Sequence, residues 1–315
     1  MSNLRISPAP HIHQKGGFTA NIMLDVTIAL LPAAIAGVVI FGIQALLIIL
    51  TCVASAVLSE YLFNLCLHKK QTVGDFSAVV TGLLLAMTLP HTVPYWQAAL
   101  GSVFAIVVVK CLCGGLGQNI FNPALAARAF LLLIYPVGLT RYVGVDGVSA
   151  ATPLHHMVMP ALPEESILDM FLGNCPGSIG EISSLALLIG LGYLLYRRVI
   201  SIRIPAAYIL TVAVLTLLNY KTEAPVQWML YHLFSGGLML GAIFMATDYA
   251  TSPATPVGHI LYGIGCGILT VLFRYFGLFP EGVTYAILIM NAFVWFIDRH
   301  TAMRRFGTGK GAAVK

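Results

Sequence analysis

The sequence predicts an all-α polytopic membrane protein, and three observations support this fold class. Of the 315 residues, 58% are hydrophobic and only 9% are charged, whereas a soluble domain has about a quarter of its residues charged. Apolar runs recur along nearly the whole chain, each close to the ~20 residues that a spanning helix needs. Most Lys and Arg residues flank these runs, where they orient helices. The net charge of +5 therefore indicates membrane lipid, and not nucleic acid, as a partner.

Ten apolar segments are predicted to be helices that span the membrane. The first five are Ile22–Phe41, Ile43–Leu67, Phe76–Leu89, Tyr95–Cys113 and Ile120–Leu139, and the second five are Gly180–Tyr196, Ile204–Tyr220, Trp228–Thr247, Val257–Phe276 and Gly282–Ile297. The third segment is short and ends at Pro90, so we expect it to be tilted or broken.

An even number of spans places both termini on one side, and the charges agree with a cytoplasmic location for them. Thirteen Lys and Arg residues, Lys110 among them, then belong to cytoplasmic segments, against Arg141 and Lys221 outside. This is the bias expected when positive residues stay in the cytoplasm. The predicted organisation is a cytoplasmic segment, a five-helix repeat, an external loop, a second five-helix repeat and a cytoplasmic tail, at residues 1–21, 22–139, 140–179, 180–297 and 298–315.

A faint internal repeat relates the two halves. Thr81–Thr88 resembles Gly236–Ile243, and Asn122–Ala124 resembles Ser252–Ala254. With five spans per half, the two copies have opposite orientations, as in transport folds whose helices are interrupted by Pro and Gly near the midplane. Chance similarity between two apolar, Gly-rich stretches is an equal alternative.

The predicted external loop contains Asp146-Gly147-Val148-Ser149-Ala150-Ala151-Thr152. Asp-Gly favours a turn, and Pro153 restrains Thr152 to an extended conformation. The small residues before Thr152 let the active site of another protein approach its hydroxyl. Taken alone, a Thr-Pro pair in a loop indicates nothing more than a turn.

This motif resembles the sequence that the bacterial flavin transferase recognises when it moves FMN from FAD onto a Ser or Thr hydroxyl. The resemblance implies covalent FMN on Thr152, through a phosphoester bond. It implies that the transferase reads Asp146, Gly147, Ser149 and Ala151.

The chain as a whole resembles a family of membrane proteins that contains the D subunit of Rnf ion-translocating electron transport complexes. The B subunit of the sodium-translocating NADH:quinone oxidoreductase is a relative. The resemblance is carried by the ten predicted spans, the run Gly114–Ala124, the run Thr247–Pro253 and the flavin motif. The quinone reductase protein generally has a longer N-terminal region than this chain, which favours the Rnf protein.

The resemblance implies a urea-transporter-like architecture of two inverted repeats in a bacterial inner membrane, with the flavin loop in the periplasm. It implies a non-autonomous subunit that relays electrons between ferredoxin and NAD, coupled to movement of sodium ions or protons. The implied cofactors are covalent FMN and noncovalent riboflavin. The implied partners are a flavin transferase, iron–sulfur subunits and a second covalently flavinylated subunit.

Acidic residues within predicted spans are candidates for an ion pathway, because burying a charge in a membrane is costly. Glu60 and Asp248 are the two candidates. Asp25, Asp75 and Asp298 are expected instead to cap helices or to lie among lipid headgroups.

Two proline sites are expected to interrupt helices. Pro123 in Asn122-Pro123 and Pro253 in Ser252-Pro253 lack a backbone N–H donor. The carbonyl groups that lose their helical hydrogen bonds there could line a cation site or a flavin pocket. Arg128 follows the first of these sites and is expected to reach either a flavin phosphate or a carboxylate on another span.

Histidine and cysteine pairs give weaker signals. His155 and His156 follow the flavin motif and could contact the flavin, but adjacent residues rarely bind one metal ion. Cys111 and Cys113 could supply half of a cluster shared with another protein of the complex, although two small apolar residues in a helix are the favoured interpretation.

Two other functions remain open from the sequence. A solute channel built on the same broken helices would carry no flavin on Thr152. A quinone reductase component would use the same flavin chemistry with a different electron acceptor.

Overall fold

The computed structural model describes residues 18–140, 142–143, 149–150, 163, 166–277 and 282–302. These residues are almost entirely helical. In chain order the helices are α1 Phe18–Phe41, α2 Ile43–Cys66, α3 Ser77–Thr88, α4 Tyr95–Val103, α5 Pro123–Ile134, α6 Pro136–Thr140, α7 Ile167–Leu172, α8 Ser184–Tyr196, α9 Arg203–Leu218, α10 Pro225–Phe234, α11 Leu238–Leu240, α12 Pro256–Phe276 and α13 Val283–Thr301. A short antiparallel hairpin pairs β1, Tyr142–Val143, with β2, Ser149–Ala150.

Each of the ten predicted segments contains a helix, but their lengths differ. Within the described residues, Thr19–Phe41, Ile43–Cys66 and Pro256–Phe276 are long and apolar enough to cross a membrane. The pair formed by α10 and Leu238–Met245 makes a fourth span if its two bent parts count as one. The protein is therefore a multi-pass helical membrane protein, and the count of ten spans stays a prediction.

Helices α4 and α11 both continue into π-helical turns, at Phe104–Cys111 and Gly241–Met245. A π-helical turn widens the helix and is often found at functional sites. Between α10 and α11 the chain bends by 61°. The eighth segment is therefore interrupted at Ser235–Gly237, a break that the sequence did not predict.

Two short helices lie in the centre of the bundle. Nearly every residue of α3 is buried, and so is every residue of Leu238–Met245. Each follows a residue in the left-handed conformation, Phe76 with φ 61° and Gly237 with φ 67°. Helix α3 includes Thr81–Thr88, and Leu238–Met245 overlaps Gly236–Ile243, the two segments whose sequences resemble each other. The inverted relation of the two halves stays a prediction.

Small residues allow close packing of α9 against α12. A Cβ atom on Gly263 would lie 2.9 Å from the carbonyl oxygen of Ile204, and one on Gly267 would lie 2.7 Å from Cβ of Thr211. Glycines four positions apart let helix backbones approach closely in membrane proteins. Any larger side chain at either glycine would push the two helices apart.

The bundle has two ends, which hold different features. At one end, called the loop end, the Phe41 ring stacks on His91 with centroids 4.3 Å apart, and the N–H of Ile179 donates to the carbonyl of Leu89. The hairpin and α7 follow α6 at this end. The opposite end, called the lysine end, includes Lys110 and the start of α3.

Candidate functional site

A cleft at the lysine end reaches into the bundle between α1, α3, α5 and the segment that follows α11. It has an empty volume of about 720 Å³, part of which is open to solvent. Its walls are mainly apolar, and its polar groups include Ser77, Lys110, Asn119, Asn122 and Asp248. We call this space the central cleft. An apolar pocket with a few convergent polar groups is the usual form of a cofactor site.

Asn122 connects the two halves of the chain at the base of this cleft. Its side-chain oxygen accepts hydrogen bonds from the N–H groups of Ala124 and Leu125, at 3.1 and 3.3 Å, and so caps the N-terminus of α5. Its Nδ2 donates to the carbonyl of Met245 at 3.3 Å. Pro123 occupies the first helical position, where the missing N–H costs nothing. The predicted interruption at Asn122-Pro123 is therefore a capped helix start.

Asp248 lies beside the cleft, as one of the two predicted ion-pathway residues. Its Oδ2 accepts a hydrogen bond from the Thr251 hydroxyl at 3.2 Å, and its Oδ1 accepts one from the N–H of Ala250. Ser252 and Pro253 follow outside any helix. The carboxylate therefore both shapes a turn and faces the cleft.

The other predicted ion-pathway residue, Glu60, is on α2 and is 2% exposed. It borders a second space, called the side pocket, whose lining includes Asn64, Asp75 and Cys111. The side pocket and the central cleft share Leu116 as a wall residue. Glu60 and Asp248 therefore lie in neighbouring cavities and not in one site.

Lys110 lies between the two cavities. Its Nζ donates to Glu60 Oε1 at 2.8 Å and to Ser77 Oγ at 2.6 Å, and Lys110 is 2% exposed. The charge count treated Lys110 as a flanking charge of a cytoplasmic segment, but its side chain is buried in the bundle; the side of the membrane stays a prediction. Thr72 completes the cluster by donating to Glu60 Oε1 at 2.6 Å.

The sequence reasoning missed Lys110 as a functional residue. The signal was present, since Lys110 is the one charged residue in the apolar run Phe104–Cys113. A charged residue inside a membrane segment usually has a partner and a function. Because Lys110 lies near the end of this apolar run, it was counted as a charge that flanks the membrane segment, and burial of its side chain was not considered.

The remaining acidic residues have structural partners. Asp75 Oδ1 accepts from the backbone N–H of Ser77 at 2.8 Å and caps the start of α3. Asp298 accepts from the N–H of Ala254. Asp25, which was expected to cap a helix or to lie among headgroups, does not cap a helix: it is buried and pairs with the Arg197 guanidinium at 3.2 Å. Hydrogen bonding to this carboxylate raises the pKa of Arg197.

Arg128 reaches a carboxylate, which was one of the two predicted partners. Its Nη1 donates to Glu181 Oε1 at 2.8 Å, and both side chains are buried. The pair lines a small cavity on the loop-end side of Leu125 and Met245, together with Gly237. Among the described residues, this cavity and the central cleft share no lining residue.

Most of the predicted flavin residues lie outside the described residues. These are Asp146, Gly147, Ala151 and Thr152, and the same is true of His155 and His156. Ser149 is described, in the hairpin: it pairs with Val143, while Ala150 pairs with Tyr142, whose side chain is buried. In the sequence, Asp146-Gly147 falls between the two strands, and Thr152 follows the second strand by two residues.

Cys111 and Cys113 form no disulfide. Cys111 is buried against the side pocket and Cys113 is exposed. In the part of the chain that the structure describes, no group of three or more His, Cys, Asp and Glu side chains is placed to hold a metal ion. A cluster shared with another protein stays untested.

The short central helices, the π-helical turns and the buried ion pairs define a membrane protein of broken helices that encloses polar cavities. Residues 5–307 match the family model described as the NQR2, RnfD, RnfE family. The chain belongs to this family, and the resemblance stated from the sequence is confirmed.

Curated relatives cover nearly the whole chain. One is the D subunit of a Na⁺-translocating ferredoxin:NAD⁺ oxidoreductase complex from Acetobacterium woodii, 50% identical over 98% of this chain and 96% of the relative. Another is the D subunit of a proton-translocating ferredoxin:NAD⁺ oxidoreductase complex from Clostridium ljungdahlii, 42% identical over 96% of each chain. The D subunit of an ion-translocating oxidoreductase complex from Stutzerimonas stutzeri is 40% identical over 91% of each chain.

Proposed function

We propose that this chain is the D subunit of an ion-translocating ferredoxin:NAD⁺ oxidoreductase complex and carries FMN on Thr152. The observation that supports the assembly most is the 50% identity to such a protein across 98% of the chain. The family description names NQR2 beside RnfD and RnfE, but the names of the relatives from Acetobacterium woodii and Clostridium ljungdahlii both contain ferredoxin and NAD⁺ and no quinone. The other subunits of the complex, including iron–sulfur subunits and a second flavinylated subunit, are the proposed partners.

The hairpin supports Thr152 as the attachment site. Tyr142 is buried and anchors the first strand, and the second strand ends at Ala150, two residues before Thr152. Hydrogen bonds between the N–H and C=O groups of the two strands hold the strands in register. The segment that leads to Thr152, which a transferase must bind, therefore begins at a fixed position. Asp146-Gly147, between the strands in the sequence, gives the transferase a recognition feature close to the acceptor.

The attachment step is a phosphoryl transfer that moves FMN from FAD to Thr152. The Thr152 hydroxyl oxygen forms a phosphoester bond to the FMN phosphorus of FAD while the pyrophosphate bond breaks. AMP leaves, and the hydroxyl proton passes to a base of the transferase. The isoalloxazine ring supplies the redox chemistry once attached, and the protein supplies binding, spacing and electrostatics.

The central cleft is the proposed site for the noncovalent riboflavin. Asn119 lines it, and the buried Asn119 Oδ1 has no hydrogen-bond partner among the described residues. Such an orphaned acceptor costs roughly 1–3 kcal/mol, which a ligand N–H would recover. Phe244 and Tyr249 add aromatic surface, and Lys110 and Asn122 add donors. The residues present fit a flat, polar-edged ring.

In-gel flavin fluorescence tests the covalent attachment. The full-length chain is produced with a flavin transferase, denatured, and compared with Thr152→Ala; Thr140→Ala, on α6, is the matched control. We expect fluorescence from the wild type and from Thr140→Ala, and none from Thr152→Ala. A dark wild-type band, with the transferase active on a known acceptor, would reject the flavin carrier and favour a solute channel.

A further inference from the structure

We propose that the central cleft selects a flavin without a phosphate group, and that Asp248 is the residue which excludes phosphorylated flavins. This selection rests on the proposed riboflavin site in the same cleft. A chain that carries FMN on Thr152 has to keep FMN out of the cleft if its second flavin is a different one.

The Asp248 carboxylate has no cationic partner. Its oxygens accept hydrogen bonds from the Thr251 hydroxyl and from the N–H of Ala250, and among the described residues no Lys, Arg or His side chain pairs with it. Three other carboxylates of the bundle each contact an arginine or a lysine: Asp25, Glu60 and Glu181. Asp248 therefore adds an uncompensated negative charge to the wall of the cleft.

The positive charges at the cleft are already matched. Among the described residues, Lys110 is the only cation in the wall, and its Nζ donates to Glu60 at 2.8 Å. Arg197 lies three positions after the lining residue Leu194 and pairs with Asp25 at 3.2 Å. A phosphate inside the cleft would be a buried anion without a free cation, which is costly.

The polar groups that stay vacant in the cleft are mainly acceptors. Thr81 and Thr247 use their hydroxyl protons on backbone carbonyls four positions earlier. Asn119 donates from Nδ2 to the carbonyl of Phe121 at 3.1 Å, while its buried Oδ1 has no partner among the described residues. Each oxygen of Asp248 accepts one hydrogen bond from the protein and keeps a lone pair. Such a wall suits the imide N–H and the ribityl hydroxyls of riboflavin, which donate, and not a phosphate, whose oxygens accept.

Asp248 also lies at the opening of the cleft. It is half-buried, and its neighbour Tyr249, which lines the cleft, is 55% exposed. A flavin whose ribityl chain points to the opening places the end of that chain near Asp248, where a phosphate is repelled. The reverse orientation buries the phosphate among charges that are already paired. FMN is therefore disfavoured in both orientations.

The experiment measures displacement of radiolabelled riboflavin by unlabelled riboflavin or FMN. The reference protein is the full-length Thr152→Ala chain in detergent micelles, which removes the covalent flavin at that position. Burial raises the pKa of the Asp248 carboxyl group, so binding is measured at pH 8, where the group is ionised. FMN is expected to bind at least about a hundredfold more weakly than riboflavin. Asp248→Asn in the same background should lower this ratio at least about tenfold, which corresponds to about 1.4 kcal/mol.

Three further measurements separate charge from general effects. Asp248→Glu keeps the charge and should keep the preference. Asp298→Asn removes a carboxylate that accepts a hydrogen bond from the N–H of Ala254 and does not line the cleft, so its ratio should equal that of the reference. Salt at about 0.5 M should lower the ratio more in the reference than in Asp248→Asn, because salt screens the charge.

Failure of this selection and failure of the riboflavin site give different results. Saturable riboflavin binding with the same FMN ratio in the reference and in Asp248→Asn would overturn the role of Asp248 and leave the riboflavin site standing. Asn119→Ala should weaken both flavins alike, because the ring loses its acceptor. A folded, monodisperse reference that binds neither flavin, or an Asn119→Ala variant with unchanged riboflavin affinity, would reject the cleft as a flavin site and the selection with it.

Discussion

Arg128 and Glu181, 53 positions apart, form a buried ion pair in which Arg128 Nη1 donates to Glu181 Oε1 over 2.8 Å. The pair joins α5 to the segment that precedes α8. It therefore connects the first half of the chain to the second at the loop-end side of the core, while Asn122 and Met245 make a comparable link at the base of the central cleft.

Removing one member of this pair should destabilise the protein strongly. Glu181→Ala leaves the Arg128 guanidinium buried without its carboxylate, and we expect a loss of about 3–5 kcal/mol in the free energy of unfolding. Denaturation of the full-length chain in mixed detergent micelles measures it. Glu223→Ala, an exposed carboxylate, should stay within about 0.5 kcal/mol of the wild type; equal losses in both variants would contradict a specific role for the pair.

Lys110 and Glu60 should show strong coupling in a double-mutant cycle. Lys110→Met leaves Glu60 buried without its cation, and we expect a loss of about 3–5 kcal/mol. The double variant Glu60→Gln/Lys110→Met should recover most of it, because a neutral buried pair carries a small desolvation cost. Chemical denaturation of the wild type and the variants in detergent micelles measures these losses. Additive single losses would show that the two side chains do not interact.

Arg274 should be essential for the break between α10 and α11. Its guanidinium donates to the carbonyls of His232 and Ser235, at 2.5 and 2.8 Å, which the break frees from helical hydrogen bonds. Hydrogen bonds to a charged group are worth about 1.5–3 kcal/mol each, so Arg274→Ala should lower the free energy of unfolding by about 3 kcal/mol or more. The exposed Arg203→Ala is the matched control and should change stability little; a neutral Arg274→Ala would show that water or lipid satisfies these carbonyls.

Gly237 should tolerate no side chain. It has φ 67°, and a Cβ atom there would lie 2.4 Å from Glu181 Oε1. Gly237→Ala should therefore both strain the backbone and disturb the Arg128–Glu181 pair, for a loss of about 1–3 kcal/mol. Gly192→Ala on α8 meets nothing within 4 Å and should be neutral or gain up to about 1 kcal/mol from helix propensity. Thermal unfolding of both variants compares them directly.

Flavin attachment should depend on the hydroxyl and on the Asp-Gly pair in different ways. Thr152→Ser keeps a hydroxyl at the same position and should retain in-gel fluorescence. Asp146→Ala removes the proposed recognition feature while the acceptor stays, and should reduce the fluorescence at least about tenfold at limiting transferase, about 1.4 kcal/mol of recognition. Full labelling of Asp146→Ala at limiting transferase would show that the transferase does not read this residue.

The positions of the helices could be predicted from the sequence because apolar runs, prolines and glycines act locally. All ten predicted segments contain helices, and the prolines at positions 123, 225 and 256 each occupy the first helical residue, where a missing N–H has no cost. The bend between α10 and α11 was not predicted, since the carbonyls that it frees are bound by Arg274, which lies 38 positions after Gly236.

Some residues of the candidate site could be found from the sequence, whereas their partners could not. Glu60 and Asp248 stood out because a carboxylate in an apolar run is conspicuous, and the flavin motif is a contiguous string. The partners of Glu60 could not be found in this way, because Lys110 is 50 positions from it and the lysine resembled an ordinary flanking charge. The ion pair of Asp25 could not be predicted for the same reason, since its partner Arg197 is 172 positions away.

The sequence by itself determined the class of protein, the helical segments, the family and the proposed flavin motif, because hydropathy and contiguous motifs need no knowledge of distant contacts. Tertiary structure alone decided that Lys110 separates two cavities, that Arg128 finds Glu181 and that Asn122 reaches Met245. The physical reason is that the cost of burying a charge or a polar group is offset only by a specific partner in space, and chain topology chooses that partner.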